Sequence, residues 1–277
     1  MRRATAAWNR VGSRKGAGSV VASRILRIEH EGGGRYALER DGVTRLVDGD
    51  PFEQWASGRE FRLGPEVTPA RILAPVAQPS KIVALGRNYR AHAAEVNKPL
   101  PAEPMLFLKP PSSVVGPGET IRLPPGVGRV DYEAEVAMVI GRRASRVPRA
   151  QAWEYVLGVT ALNDVSAREL QRRDIQYARA KGFDTFTPLG PAILTGERGP
   201  FTVEAWLNGT CRQSSSTADL IFGLEDIVAF VSDVMTLLPG DVIATGTPSG
   251  IGPLTDGDIV TITVGGVGDL VNPVATR

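Results

Sequence analysis

Apolar and polar residues alternate through residues 23–50, "SRILRIEHEGGGRYALERDGVTRLVDGD", and this period of two predicts three short strands. A Gly-rich turn separates the first two, and Asp41-Gly42 is a hairpin signal between the second and third. A loop-rich stretch punctuated by Pro51, Pro65, Pro69, Pro75 and Pro79 then closes a small β-rich N-terminal unit, residues 23–78. In residues 79–277, "KIVALG" (81–86) is a compact apolar strand. "NYRAHAAEVNK" (88–98) reads as helix, with Asn88 able to cap it and Pro99 ending it. "MLFLKPPSSVVGPG" gives a strand and a turn. "AQAWEYVLGVTALNDVSARELQRR" starts as helix, passes through the strand "VLGVTALND" and enters another helix at Ser166. "LGPAILTG" and "FTVEAWLNGT" are strands. "IFGLEDIVAFVSDVMTL" is an amphipathic helix with Ile221, Leu224, Ile227, Val228, Val231 and Val234 on its apolar side. "PGDVIATGTPSG" and "GDIVTITVGGVGDLVNPV" complete a β-rich half. Strands and helices do not alternate regularly, so the predicted class is α+β.

One segment breaks the pattern. "GRVDYEAEVAMVIG" (128–141) reads as an interior strand from Val136 onward, yet it carries Asp131, Glu133 and Glu135 at alternate positions. In a strand all three project to one side. Two such charges about 6.5 Å apart repel by roughly 2.5 kcal/mol at an effective dielectric near 20. A hard divalent cation is the simplest compensation, Mg²⁺ or Mn²⁺ before Ca²⁺. Asp164, at the end of "GVTALND", is a natural third ligand. The spacing alone equally suits acids on an exposed edge strand.

Composition is that of a globular protein, 42% hydrophobic and 22% charged, and no apolar run approaches a membrane span. The net charge of +2 is misleading, because residues 1–24 hold six basic residues and no acid. The remainder has 26 basic against 30 acidic residues, near −4, which argues against a nucleic-acid partner. Residues 1–22 read as a disordered basic tail with no continuous apolar signal region. The single cysteine, Cys211, excludes an internal disulfide and a cysteine zinc cluster, and a reducing, cytoplasmic setting is expected. No neighbour in sequence activates it as a nucleophile.

Other residues with chemistry each have a plain alternative. His92 and Glu95 are neighbours on one helix face, where a lone histidine is commonly a packing or surface residue. Lys181 in "AKGFD" reads first as a solvated charge, Thr247 in "ATGTPSG" as a turn residue, and His30 as surface. "GTPSGIG" has neither a P-loop lysine nor a G-x-G-x-x-G fingerprint, so it is no nucleotide loop.

Eight segments in order, "GRNYRAHAAE", "LFLKPPSSVVGPG", "DYEAEVAMVIG", "LNDVSARELQ", "AKGFDTFTPLGP", "IFGLEDIVAFVS", "PGDVIATGTPSGIG" and "GDLVNPV", closely resemble the fumarylacetoacetate hydrolase family, in its small acylpyruvate hydrolase and 2-hydroxyhepta-2,4-diene-1,7-dioate isomerase-like branch. The resemblance runs from about residue 80 to 273. It implies a mixed β-sandwich roll, a homodimer, and a divalent metal on Glu133, Glu135 and Asp164, with Asp131 just outside the ligand set or facing solvent. It further implies a His92–Glu95 pair on a lid helix that activates water, and Lys181 beside a developing enolate. Arg87, Lys109, Gln171 and Thr247 would contact substrate, while Arg168 fits equally a structural ion pair.

The activity so implied is metal-dependent hydrolysis of a C–C bond in a small 2,4-dioxo acid of the acylpyruvate or fumarylpyruvate kind. Decarboxylation of a 2-oxo diacid such as oxaloacetate, or isomerisation of an unsaturated heptadioate, would use the same electron sink. A non-catalytic binding scaffold is the reading from a different class, and the presence of every ligand and of the His–Glu pair argues against it.

Overall fold

The computed structural model describes residues 22–277 apart from Val96 and Lys98, so the expected tail lies almost wholly outside the described residues. The three N-terminal strands form at Ser23–His30, Gly33–Arg40 and Val43–Val47, with Asp41 and Gly42 both at positive φ as the hairpin turn requires. The proline-rich stretch holds an unexpected helix, α1 (Pro51–Ala56). Asp50 caps it by accepting the Phe52 and Glu53 N–H groups, and Pro51 occupies its first turn, where no N–H is needed.

A twelve-stranded sheet is the main layer, ten strands along one path with Ile72–Leu73 paired to Ser23–His30 and Val114–Val115 paired to Thr187–Thr195 off it. Its path runs Leu63–Glu66, Val43–Val47, Gly33–Arg40, Ser23–His30, Thr187–Thr195, Val156–Asn163, Ala134–Ile140, Val242–Ala244, Ile82–Gly86, Met105–Lys109. The N-terminal strands therefore continue the sheet that carries the acidic strand. A second sheet orders Thr210–Ser216, Thr202–Leu207, Ile259–Val264, Gly268–Thr276 and Ile121–Leu123, and it packs against the first. Ala134–Ile140 is buried on both faces, which explains its unbroken apolar run. Val136, Met138 and Ile140 join the core shared with Val203, Ile262 and Val264 of the second sheet. Ala137 and Val139 join another core with Ile82, Leu162, Val242 and Phe52. This is the mixed α+β architecture expected.

The remaining helices are short except the last: α2 (Arg90–Glu95), α3 (Arg168–Arg173), α4 (Ala178–Lys181) and α5 (Leu224–Val234). Two expectations change in detail. Residues 149–154 form a 3₁₀ turn, and α2 is shorter than 88–98. Asn88 does not cap α2; its Nδ2 donates to the Thr245 and Phe222 carbonyls at 2.9 and 3.1 Å. Among the described residues no helix is long and apolar enough to cross a membrane.

Candidate active site

The site lies where two neighbouring strands end. Ala134 pairs with Asn163 and Glu135 with Leu162, and beyond that register the Asp164 N–H donates to the Glu133 carbonyl at 2.9 Å. The Asn163 side chain accepts the Glu133 N–H at 2.9 Å. Backbone pairing thus delivers Glu133, Glu135 and Asp164 to one place, with one carboxylate oxygen of each within 4.8 Å of the others. All three are buried.

Their partners are unequal. Lys181 Nζ donates to Glu133 Oε2 at 2.8 Å and to Asp164 Oδ2 at 2.5 Å, and Lys109 Nζ donates to Asp164 Oδ1 at 2.6 Å. Glu135 accepts the Gly246 N–H at 2.8 Å and has no ion-pair partner among the described residues. Burial, followed by the charges of Asp164 and Glu133, pushes the Glu135 carboxyl well above the usual range. Burial acts in the same direction on Glu133, but Arg168 and Lys181 outweigh it and hold that carboxyl far below. Burial opposes the charge on Lys181 too, yet Asp164 and Glu133 raise its affinity for a proton. Glu135 is the carboxylate short of positive charge. An all-oxygen donor set with one undercompensated carboxylate fits a hard divalent ion.

Asp131 lies outside this triad and, contrary to a solvent-facing position, is 1% exposed. It accepts Arg129 Nε at 2.6 Å and Arg168 Nε at 2.7 Å. Arg168 also forms an ion pair with Glu133 Oε1 at 2.6 Å, so it takes the ion-pair role left open by the sequence.

A cavity of about 660 Å³ opens over Glu133 and Glu135. Arg87, His92, Gln171, Lys181 and Thr247 line it, as do Arg129, Asp131 and Arg172. Met105, Phe107, Tyr177 and Ile175 add an apolar wall. Lys109, expected to touch substrate, is instead fully buried behind Asp164, its ammonium also bonded to the Lys181 carbonyl at 2.8 Å. Burial lowers its affinity for a proton while Asp164 opposes that shift. His92 Nδ1 lies 3.0 Å from Glu95 Oε2, and Glu95 Oε1 accepts the Gly250 N–H at 2.9 Å. The pair therefore joins α2 to the "GTPSG" loop.

Gln213 went unnoticed in the sequence, inside the serine-rich "RQSSST". Its side chain accepts the Ala134 N–H at 2.9 Å and donates to Thr247 Oγ1 at 2.9 Å and to the Pro248 carbonyl at 2.8 Å. It pins the Thr247 loop to the start of the acidic strand. No local signal marks it, since all three partners are remote in sequence.

Comparison with known proteins agrees with this geometry. Residues 81–275 match the family model described as fumarylacetoacetate (FAA) hydrolase C-terminal. The oxaloacetate tautomerase YisK of Bacillus subtilis is 36% identical, over 84% of this chain and 85% of its own length. A solved structure of a 5-carboxymethyl-2-hydroxymuconate delta-isomerase from Mycobacterium smegmatis is 43% identical, with TM-score 0.82 over 92% of this chain and all of that one. A fumarylacetoacetate hydrolase from Exiguobacterium antarcticum is 35% identical, with the same TM-score and coverages. These relatives carry the names of three different reactions. With the family match spanning the acidic triad, the lysine and the His–Glu pair, the chain belongs to the fumarylacetoacetate hydrolase family.

Proposed function

We propose that this chain is a Mg²⁺- or Mn²⁺-dependent enzyme that works on small 2-oxo diacids through their enol form, with tautomerisation or isomerisation as its first activity. The observation that carries the reading is that Glu133 and Glu135 of the acidic triad line one cavity together with Lys181 and His92, whose ring Glu95 holds. The relatives named tautomerase and isomerase support the order of activities.

Glu133, Glu135 and Asp164 would hold a divalent ion, which would supply Lewis acidity toward a 2-oxo carboxylate. Lys181 adds a buried positive charge where enolate charge develops. His92, oriented by Glu95, removes a proton from the carbon next to the carbonyl and returns one at the product atom. Arg87 has no carboxylate partner among the described residues and offers its guanidinium to the substrate's far carboxylate. Gln171 and Thr247 supply polar contacts on the cavity wall.

Hydrolysis of an acylpyruvate is the second reading, and the same His–Glu pair favours it: there His92 takes its proton from water. The assembly we expect is a homodimer in the cytoplasm. The deciding experiment follows oxaloacetate enol decay, unsaturated heptadioate isomerisation and pyruvate release from acylpyruvates, each with Mg²⁺ and with chelator. Ion-dependent acceleration of either of the first two supports the reading; pyruvate release alone would install the hydrolase instead. Acceleration of none of the three would remove both.

A further inference from the structure

We infer that Asp131 is a positioning residue that acts through Arg168 to fix the side chain of Gln171 for substrate, an inference that rests on the 2-oxo acid reading above. Two hydrogen bonds and one ion pair engage the three nitrogens of one guanidinium. Arg168 Nε donates to Asp131 Oδ2 at 2.7 Å, Nη1 donates to Gln171 Oε1 at 2.9 Å, and Nη2 pairs with Glu133 Oε1 at 2.6 Å. A guanidinium is planar, so fixing one edge fixes the direction of the other two nitrogens.

Asp131 is well placed to be that fixed edge. It is buried at 1% on the strand Val130–Tyr132, where it pairs in register with Ser166, two residues before Arg168. The Arg168 N–H also donates to the Arg129 carbonyl at 2.8 Å, so backbone and side chain dock together. Arg129 approaches the same carboxylate from the half-exposed side, at 2.6 and 3.0 Å.

The consequence falls on the amide of Gln171. Arg168 is a donor only, so the Gln171 atom facing it is the carbonyl oxygen. Gln171 lines the cavity, and with its oxygen held by Arg168 its NH₂ is turned away from Arg168 as a donor. A carboxylate or oxo group is the partner such a donor selects. Rotation of Arg168 would free the amide to flip and present an acceptor, which repels the same group.

The test uses oxalate, a stable 2-oxo acid mimic, with the full-length Mg²⁺-loaded protein and calorimetry. Asp131→Asn keeps shape but weakens the hold on Nε. It should reduce oxalate affinity about tenfold, the scale of one charged hydrogen bond. Mg²⁺ affinity measured without oxalate should stay close to wild type, because Asp131 does not touch the triad and Glu133 keeps Lys181. Arg168→Lys retains the charge and loses the fork, so it should weaken oxalate at least as much. In that background Asp131→Asn should add nothing. Wild-type oxalate affinity in Asp131→Asn, or losses that multiply in the double variant, would overturn the relay. Gln171→Glu keeps the partner of Arg168 and removes the donor, so it serves if Asp131→Asn does not fold: weakened oxalate at unchanged melting temperature supports the relay, and wild-type binding overturns it. Failure of the loaded wild type to bind oxalate would instead overturn the 2-oxo acid reading, and the relay's role toward substrate with it.

Discussion

Glu95 holds His92 with one carboxylate oxygen, at 3.0 Å, while its other oxygen accepts the backbone N–H of Gly250. The imidazole is thus oriented by a group that is itself tied to the backbone of the loop that carries Thr247. His92→Ala should lower turnover by about 10²–10⁴-fold, the usual worth of a positioned acid–base group. Glu95→Gln keeps an oxygen for one of these bonds and should give an intermediate loss. Steady-state rates on oxaloacetate enol and on acylpyruvates check both. Ion-dependent decarboxylation of oxaloacetate, which relies on the triad more than on a base, should fall much less.

Ion affinity should separate the acids. Glu135→Gln removes the carboxylate that has no ion-pair partner among the described residues, and Mg²⁺ affinity should fall beyond the roughly 10–100-fold loss typical of an outer-shell change. Asp131→Asn should change it little. Calorimetric titration of the two variants decides the assignment: equal losses would move the ligand set along the strand.

Binding of the ion should release a proton. The Glu135 carboxyl, raised by burial and by its acidic neighbours, holds its proton to higher pH than the ordinary value of 4.5. A raised carboxyl contributes stability to the ion-free protein below its unfolded pKa, and that contribution is lost as pH rises through the folded value. The chelated protein should therefore melt lower as pH increases above 4.5, and Mg²⁺ affinity should rise over the same interval. Titrations in two buffers of different ionisation enthalpy count the proton; Glu135→Gln should abolish it.

Gly246 offers a backbone test. Its φ is +101°, and a Cβ there would sit 2.8 Å from the Asn88 Cβ. Gly246→Ala should cost about 1–3 kcal/mol of stability from strain, and more from the collision. It should also weaken Mg²⁺ binding by moving the N–H that Glu135 accepts. Gly257→Ala is the control, since Gly257 has φ +84° with nothing within 4 Å of a new Cβ. Chemical melts and ion titrations of the pair separate strain from the effect on the site.

What the sequence revealed and what it hid follow one division. Alternation over 23–47 and the apolar run of Val136–Ile140 report burial directly, so those strands could be read from the chain. The acids at 131, 133 and 135 stood out because like charges at that spacing need compensation. The helix at Pro51–Ala56 was hidden because prolines were read as loop markers, although Asp50-Pro51 is also a helix start. Asn88 looked like a local cap and proved to bond residues more than a hundred positions away. Lys109 and Gln213 have the same character: their partners Asp164 and Ala134 are more than fifty positions away, and no local pattern encodes a register.

The pairing of Ser23–Leu26 with Ala192–Thr195 has a consequence for handling the protein. Shortened to residues 79–277, it would leave Ala192–Thr195 without the strand that pairs with it, a short apolar edge. Such a border invites a second molecule to add its own strand. The first strand thus acts as a built-in stopper against intermolecular sheet growth, and truncated preparations should precipitate at concentrations the full-length protein tolerates.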